Sequence, residues 1–310
     1  MTGKRKDSFY MLMALGGNAI FGFSFLFTKA AISVAEPFVL LAVRFSVAFL
    51  IMTVMKLTGI LPIHLSGKSL RPLIILGLLE PVMYFIFETY GLANSPTSFA
   101  GIIIALIPIA GVACGMIFLR ERPTRSQILF SVLSVGGVIV MTSMDEMAGI
   151  HWKGFLLLLG AVFSSAFYNV QNRRIADKYS AFERTYVMFG VAAAAFVILA
   201  LLTVGFDRDS WLVPLCDRGF WLSIIYLSCA SSIGAFVMIN KALEGLPIAR
   251  SLVFANVTTV ISVLAGVLIL KESFSPAQAV GIVMVLVGVY GVNRAKVDKK
   301  SIKADSTKLR

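Results

Sequence analysis

The length of its apolar stretches limits what this chain can fold into. Ile102 to Leu119 contains no acidic or basic side chain, and a helix crosses the hydrocarbon layer in about 20 apolar residues. That layer has no water to satisfy a backbone N–H or C=O, so only helices and closed barrels span it. Barrel strands read as short segments of alternating polarity. The continuous runs here predict helices. Composition agrees: 58% of the 310 residues are hydrophobic, 14% are charged and the mean hydropathy is +0.88. That is too little charge to cover a soluble protein of this size.

Ten such segments are expected, at roughly 9–31, 37–57, 72–92, 97–119, 126–143, 154–172, 185–204, 220–240, 249–270 and 276–293. The net charge of +12 would suggest nucleic acid in a soluble domain, but the basic residues alternate between loops. With the N-terminus inside, 22 Lys and Arg fall in inner segments, 5 fall in outer ones, and Arg44 lies within the second helix. This bias places both termini in the cytoplasm and requires an even number of spans. The expected partner is a lipid bilayer, the cytoplasmic inner membrane, and not nucleic acid. Lys4-Arg5-Lys6 resembles the n-region of a signal peptide, but the apolar run after it is too long and lacks a clean cleavage site. The Lys-rich stretch 296–310 is expected to be a disordered tail near anionic lipid.

An internal repeat orders these segments. A shift of 151 residues overlays the fourth and fifth helices on the ninth and tenth. Leu92, Pro96, Glu121, Gln127 and Gly137 then fall on Leu243, Pro247, Glu272, Gln278 and Gly288. The first and sixth helices match at a shift of about 144, which puts Lys29 on Arg173. Five helices per half is an odd number, so the second copy enters the membrane from the opposite side. The expected fold is therefore an all-α membrane protein of ten transmembrane helices in two inverted five-helix repeats, 1–145 and 146–295. Secondary transporters share this plan and bind solute near the midplane between the halves. Gly111-Val-Ala-Cys-Gly115 and Ser262-Val-Leu-Ala-Gly266 are small-xxx-small patterns that bring helix backbones close. They fit internal packing and a dimer face equally, so monomer and homodimer both stay open.

Phe23-Ser-Phe-Leu-Phe-Thr-Lys29, Leu41-Ala-Val-Arg-Phe45, Ala105-Leu-Ile-Pro108, Leu119-Arg-Glu121 and Leu270-Lys-Glu272 occur in an order that resembles the EamA-type branch of the drug/metabolite transporter superfamily. The likeness covers residues 9 to 293. It implies ten helices, a central cavity lined by the first, third, fourth, sixth, eighth and ninth, and export of metabolites or amino acids. The second half departs from the pattern where Thr259 stands at the position matching Pro108.

Polar side chains in hydrocarbon are costly and mark candidate sites. Arg44 lies about 10 Å in from the outer end of the second helix, and Glu88 about 6 Å in from that of the third. They are placed to meet, either as a brace between helices or as a gate or anchor for a substrate carboxylate. Glu80, Tyr84 and Glu88 are spaced to share one helix face, and Pro81 is expected to kink that helix. The two carboxylates are candidate proton carriers, with the proton as coupling ion. Asn18, Tyr168, Asn169, Ser231, Ser232, Asn256 and Thr259 add hydrogen-bonding groups. With Phe21, Phe25 and Phe85 they outline a cavity of mixed polarity, suited to an amino acid, a nucleobase or an amphipathic compound. Pro108, midway along the fourth helix, marks a flexing point.

No metal or cofactor is expected. His64 and His151 lie in opposite loops, and the three cysteines form no pattern, with Cys114 and Cys229 expected inside helices. The chain lacks G-x-x-x-x-G-K-[ST], so nucleotide hydrolysis is not its energy source. The reading is a secondary transporter working by alternating access, not an enzyme. A passive facilitator is the alternative. A membrane enzyme acting on a lipid would need clustered catalytic side chains, and those here are scattered.

Overall fold

The apolar segments become helices, and no strand occurs among the described residues. The structure is a computed structural model that describes residues 3–94, 103–104, 106–142, 152–269 and 275–295. The first two helices are α1 (Gly3–Ile32) and α2 (Pro37–Leu57). Pro37 opens α2 in its first turn, where a missing N–H costs nothing. Next come α3 (Arg71–Gly77), a π-helical segment (Leu78–Met83), α4 (Tyr84–Ala93), α5 (Ile107–Phe118) and α6 (Arg125–Thr142). The second half holds α7 (Trp152–Ile175), α8 (Ala181–Val204), α9 (Arg208–Cys216) and α10 (Arg218–Ile225). It continues through a second π-helical segment (Tyr226–Ala235) to α11 (Phe236–Gly245), α12 (Ile248–Leu252), α13 (Ala255–Ile269) and α14 (Pro276–Arg294).

Seven described spans are long and apolar enough to cross a membrane, and three shorter apolar helices accompany them. Apolar side chains such as Leu50, Leu57 and Leu202 face outward, as lipid solvation allows. Seven spans of this length and apolarity are the mark of an integral multi-pass membrane protein.

Three expected helices are not single rods. The third breaks at Glu80, whose backbone is extended (φ −146°, ψ 125°), and Pro81 follows with no N–H to continue the ladder. The eighth carries the second π-helical segment. The ninth splits into α12 and α13 at Val253 and Phe254. α9 was not expected. It starts where Asp207 accepts from the Ser210 N–H at 2.9 Å.

The matched Gln127 and Gln278 are helix caps. Gln127 Oε1 accepts from Thr124 N while Thr124 Oγ1 accepts from Gln127 N, and Ser275 and Gln278 repeat the exchange at the start of α14. Each box satisfies two backbone donors that a helix start leaves unpaired. The matched Gly137 and Gly288 serve the contact between α6 and α14. A Cβ on Gly137 would lie 2.6 Å from the Gly281 carbonyl, and one on Gly288 would lie 2.7 Å from the Phe130 carbonyl. Gly111 packs on Leu252 of α12, so in the first half the small-residue pattern serves internal packing. Ser262 and Gly266 have side-chain positions outside the described residues.

The largest core joins α2 to α8 through the buried Phe45, Met52, Met188, Phe189 and Phe196. α1 packs on α13 and on the α10–α11 rod, and α7 packs on α4 and α5. Cys114 is buried as expected, but Cys229 is exposed on the outward face of its rod. The side chains of Phe25 and Lys29 are not described, and His151, Lys271, Glu272 and the 296–310 tail lie outside the described residues.

Candidate solute site beside the two interrupted helices

A π-helical turn misaligns the backbone ladder and frees groups that neighbouring helices must satisfy. At the first interruption the Ser164 hydroxyl of α7 donates to the Leu79 carbonyl at 2.6 Å. The next residue, Ser165, donates to Glu80 Oε2 at 2.9 Å. At the second interruption the Tyr226 hydroxyl donates to the Ile20 carbonyl of α1 at 3.0 Å. Ser228 donates to the Arg44 carbonyl at 2.9 Å.

The extended residue at position 80 alters the expected stripe. Tyr84 and Glu88 remain a helical pair, with the Tyr84 hydroxyl donating to Glu88 Oε1 at 3.0 Å. Glu80 is turned towards α7. All three are half-buried, and each carboxylate receives a hydroxyl hydrogen bond. Arg44 is buried. Its Nε donates to Ser232 Oγ at 2.9 Å and its Nη2 to Ser231 Oγ at 3.1 Å, and the guanidinium lies over the rings of Phe45 and Phe85. The expected Arg44–Glu88 brace is therefore corrected. No ion pair of 4 Å or less joins Arg44 to Glu80 or Glu88 among the described residues, because two serines and two rings already hold the guanidinium. Aromatic rings continue the wall. Phe21 meets Phe236 edge-on at 5.2 Å, Phe236 meets Phe189 at 5.6 Å, and Tyr84 meets Phe85 at 5.3 Å.

Below this wall, at the end of the rods richest in Lys and Arg, lies a polar cluster of which the sequence reading named only Tyr168, as a cavity residue. The Tyr168 hydroxyl donates to Asn240 Oδ1 at 2.7 Å, and Asn172 Nδ2 donates to the same oxygen at 2.5 Å. Asn240 Nδ2 donates to Thr185 Oγ1 at 2.8 Å. Arg184 donates to the Asn172 side chain, to the Asn240 carbonyl at 3.0 Å and to Glu244 Oε1 at 2.8 Å. Arg184, Asn172, Thr185 and Asn240 are all 0% exposed. The sequence hid the cluster because Arg184 falls just before an expected helix and Asn240 ends another.

Other expected site residues have local duties. Asn18 Nδ2 donates to the Ala14 carbonyl of its own helix, and Asn18 accepts from Thr258 of α13. Asn169 donates to the Ser165 carbonyl, and Asn256 donates to Ser134 of α6 at 3.0 Å. Thr259 is half-buried on α13. Pro108 is the second residue of α5 and is buried in its first turn, where proline fits without freeing a carbonyl; most of the expected fourth helix before it lies outside the described residues. No group of three metal-ligating side chains occurs among the described residues.

Outside the membrane, Glu121 bridges the halves. Its Oε2 accepts from the Ile248 N–H at 2.9 Å, and Oε1 lies 3.8 Å from Arg173 Nε. Burial pushes its pKa above the ordinary carboxylate value, although this hydrogen bond and the Arg173 charge pull the other way.

Known proteins bear on this geometry. The EamA-like transporter family matches residues 8–143 and, a second time, residues 152–294. An uncharacterized transporter of Bacillus subtilis, YcxC, is 37% identical over 280 residues, covering 88% of this chain and 89% of its own length. A probable amino-acid metabolite efflux pump of Salmonella typhimurium is 24% identical over 298 residues, covering 92% and 94%. One solved crystal structure superposes with a TM-score of 0.76 at 20% identity, covering 92% of this chain and 96% of the other. At that identity it shows a shared fold.

Proposed function

The chain belongs to the EamA-like transporter family, and on that premise we propose that it is a secondary active transporter of a small organic metabolite, working by alternating access in the cytoplasmic membrane. The observation that carries this reading is the pairing of helices. α1 packs on the second interrupted rod and on α13, while α7 packs on the first interrupted rod and on α5. Exchanging the halves turns one set of contacts into the other. α2 with α8 and α6 with α14 map onto themselves. A shift of 151 residues carries Leu78–Met83 to positions 229–234, inside the second π-helical segment. The twofold family match also supports two copies, 1–145 and 146–295. Ten spans in inverted repeats, with both termini cytoplasmic, accommodate this pairing and the 22-to-5 distribution of basic residues. Two copies of one unit give outward-open and inward-open states of similar energy, which alternating access requires.

The solute site in this reading is the aromatic and carboxylate wall of Phe21, Tyr84, Phe85, Glu80 and Glu88, with Arg44, Ser231 and Ser232 bracing it. Rings beside hydrogen-bond acceptors suit an amino acid or another amphipathic compound, in line with the Salmonella relative's name, and that name supports export. Glu80 and Glu88 lack a cationic partner within 4 Å among the described residues, which suits them to carry the coupling proton.

Counterflow into proteoliposomes, screened with amino acids and amphipathic metabolites, tests the reading. Saturable uptake stimulated by solute on the far side is expected, with loss of pH-gradient drive in Glu80→Gln or Glu88→Gln. Flux without saturation or trans-stimulation would instead establish a passive facilitator.

A further inference from the structure

The buried cluster around Arg184 has no part in the wall just described, yet its side chains are joined by a chain of hydrogen bonds across three helices. We propose that Tyr168, Asn172, Arg184, Thr185, Asn240 and Glu244 form the cytoplasmic latch of the solute pathway, sealing the site on that side and releasing when it opens inward.

Position is the first argument. Ser165, which holds Glu80, is seven residues from Asn172 on α7, a rise of about 10 Å. On α7 the cluster therefore lies between the basic end of the helix and the residue that holds Glu80. Connectivity is the second. Arg184 in the first turn of α8 grips α7 through Asn172 and α11 through the Asn240 carbonyl and Glu244. Glu244 also accepts from the Ala181 N–H at 3.1 Å. Arg173 Nη1 donates to the Leu243 and Glu244 carbonyls, which ties the end of α7 to the end of α11. The cluster therefore fixes three helix ends relative to one another.

Chemistry is the third argument. A contact that must open into water loses little if its groups then hydrogen-bond to water, whereas apolar groups parted in the same way are left wetted. Amides, two hydroxyls and a salt bridge suit a seam that is dry when shut and hydrated when open. Tyr168 stands one turn from Ser165, so the latch borders the residues that hold the Glu80 carboxylate.

The idea takes its purpose from the transport reading, but its test needs no solute. In protein whose Cys114, Cys216 and Cys229 are replaced by alanine, Ser165→Cys becomes a reporter for a membrane-impermeant maleimide applied to inverted vesicles. Labelling from the cytoplasmic face is expected to be slow with the native latch. With Arg184→Gln it should rise on the order of tenfold, because a minor open state gains population when the contacts of the shut state are lost. Glu244→Gln removes a partly exposed partner and should give a smaller rise in the same direction, even if Arg184→Gln fails to fold. Rates within twofold of the native latch in every variant that folds would overturn the proposal. Shifted labelling without counterflow of any solute would uphold the latch and sink the transport reading. Counterflow with unchanged labelling would do the reverse.

Discussion

At the basic end α7, α8 and α11 meet through Arg184, Asn172 and Asn240, whereas at the other end α1, α2 and α10 meet through Ala31, Leu40, Phe220 and Ile224. Both ends are dry. At the apolar end Phe27 stacks on Tyr226 with ring centroids 4.0 Å apart, and the Tyr226 hydroxyl donates to the Ile20 carbonyl; most of the contact is between apolar side chains. The polar end is directional, since each of its hydrogen bonds exists in one relative placement of the helices. Under the inverted-repeat reading the two ends do the same job in opposite states, so their different chemistry marks an asymmetry the repeat did not inherit. The cluster has no counterpart at the apolar end because Arg184, near the start of α8, corresponds to the apolar start of α2.

The largest expected effect tests the polar end. Arg184→Met leaves the buried Asn172 side chain and carbonyl and the Asn240 carbonyl without their donor, while Glu244 keeps Lys241 at 2.6 Å. It should destabilise the protein by about 3–5 kcal/mol, the summed cost of several orphaned buried acceptors. Denaturant unfolding in detergent measures it, and a loss below about 1 kcal/mol would erase the contrast between the ends. Phe220→Ala, at the apolar end, should cost about 3 kcal/mol through the cavity it leaves. It should not speed cytoplasmic labelling of the Ser165→Cys reporter. Gly137→Ala and Gly288→Ala push apart the self-paired helices α6 and α14. Each should cost about 1–3 kcal/mol, and unequal losses would argue against the symmetry of that contact.

The smallest effect is electrostatic and sits at the basic face. Burial holds the Glu121 pKa above the ordinary value of 4.5, so the folded chain binds this proton more tightly than the unfolded chain. The stability it contributes is fully present below pH 4.5 and is lost as pH rises through the raised folded pKa. Glu121→Gln should flatten that part of the profile, read as melting temperature between about pH 4 and 7. An unchanged slope would remove Glu121 as its source.

Much of the fold was legible in the sequence. Helix ends lie near the expected ones, because apolar length is a local signal. The Gln and Gly residues matched by the 151-residue shift are caps and close approaches and do not line the site. Glu80, Tyr84 and Glu88 were found because carboxylates in an apolar run are conspicuous. Asn172, Thr185 and Asn240 were not, since small polar residues near helix ends look ordinary until three helices bring them together.

The sequence by itself determined that this chain is built of helices long and apolar enough to enter a membrane, and it predicts a basic face and a second copy of the first half's plan. Hydropathy, charge and period are properties of neighbouring residues, and lipid enforces them without reference to the rest of the fold. The tertiary structure decided that the third rod breaks at Glu80, that Arg44 binds serines and not a carboxylate, and that Arg184 closes one end. Each of these depends on which side chain a distant helix presents, from Ser165 beside Glu80 to Asn240 beside Arg184, and no local pattern specifies that partner.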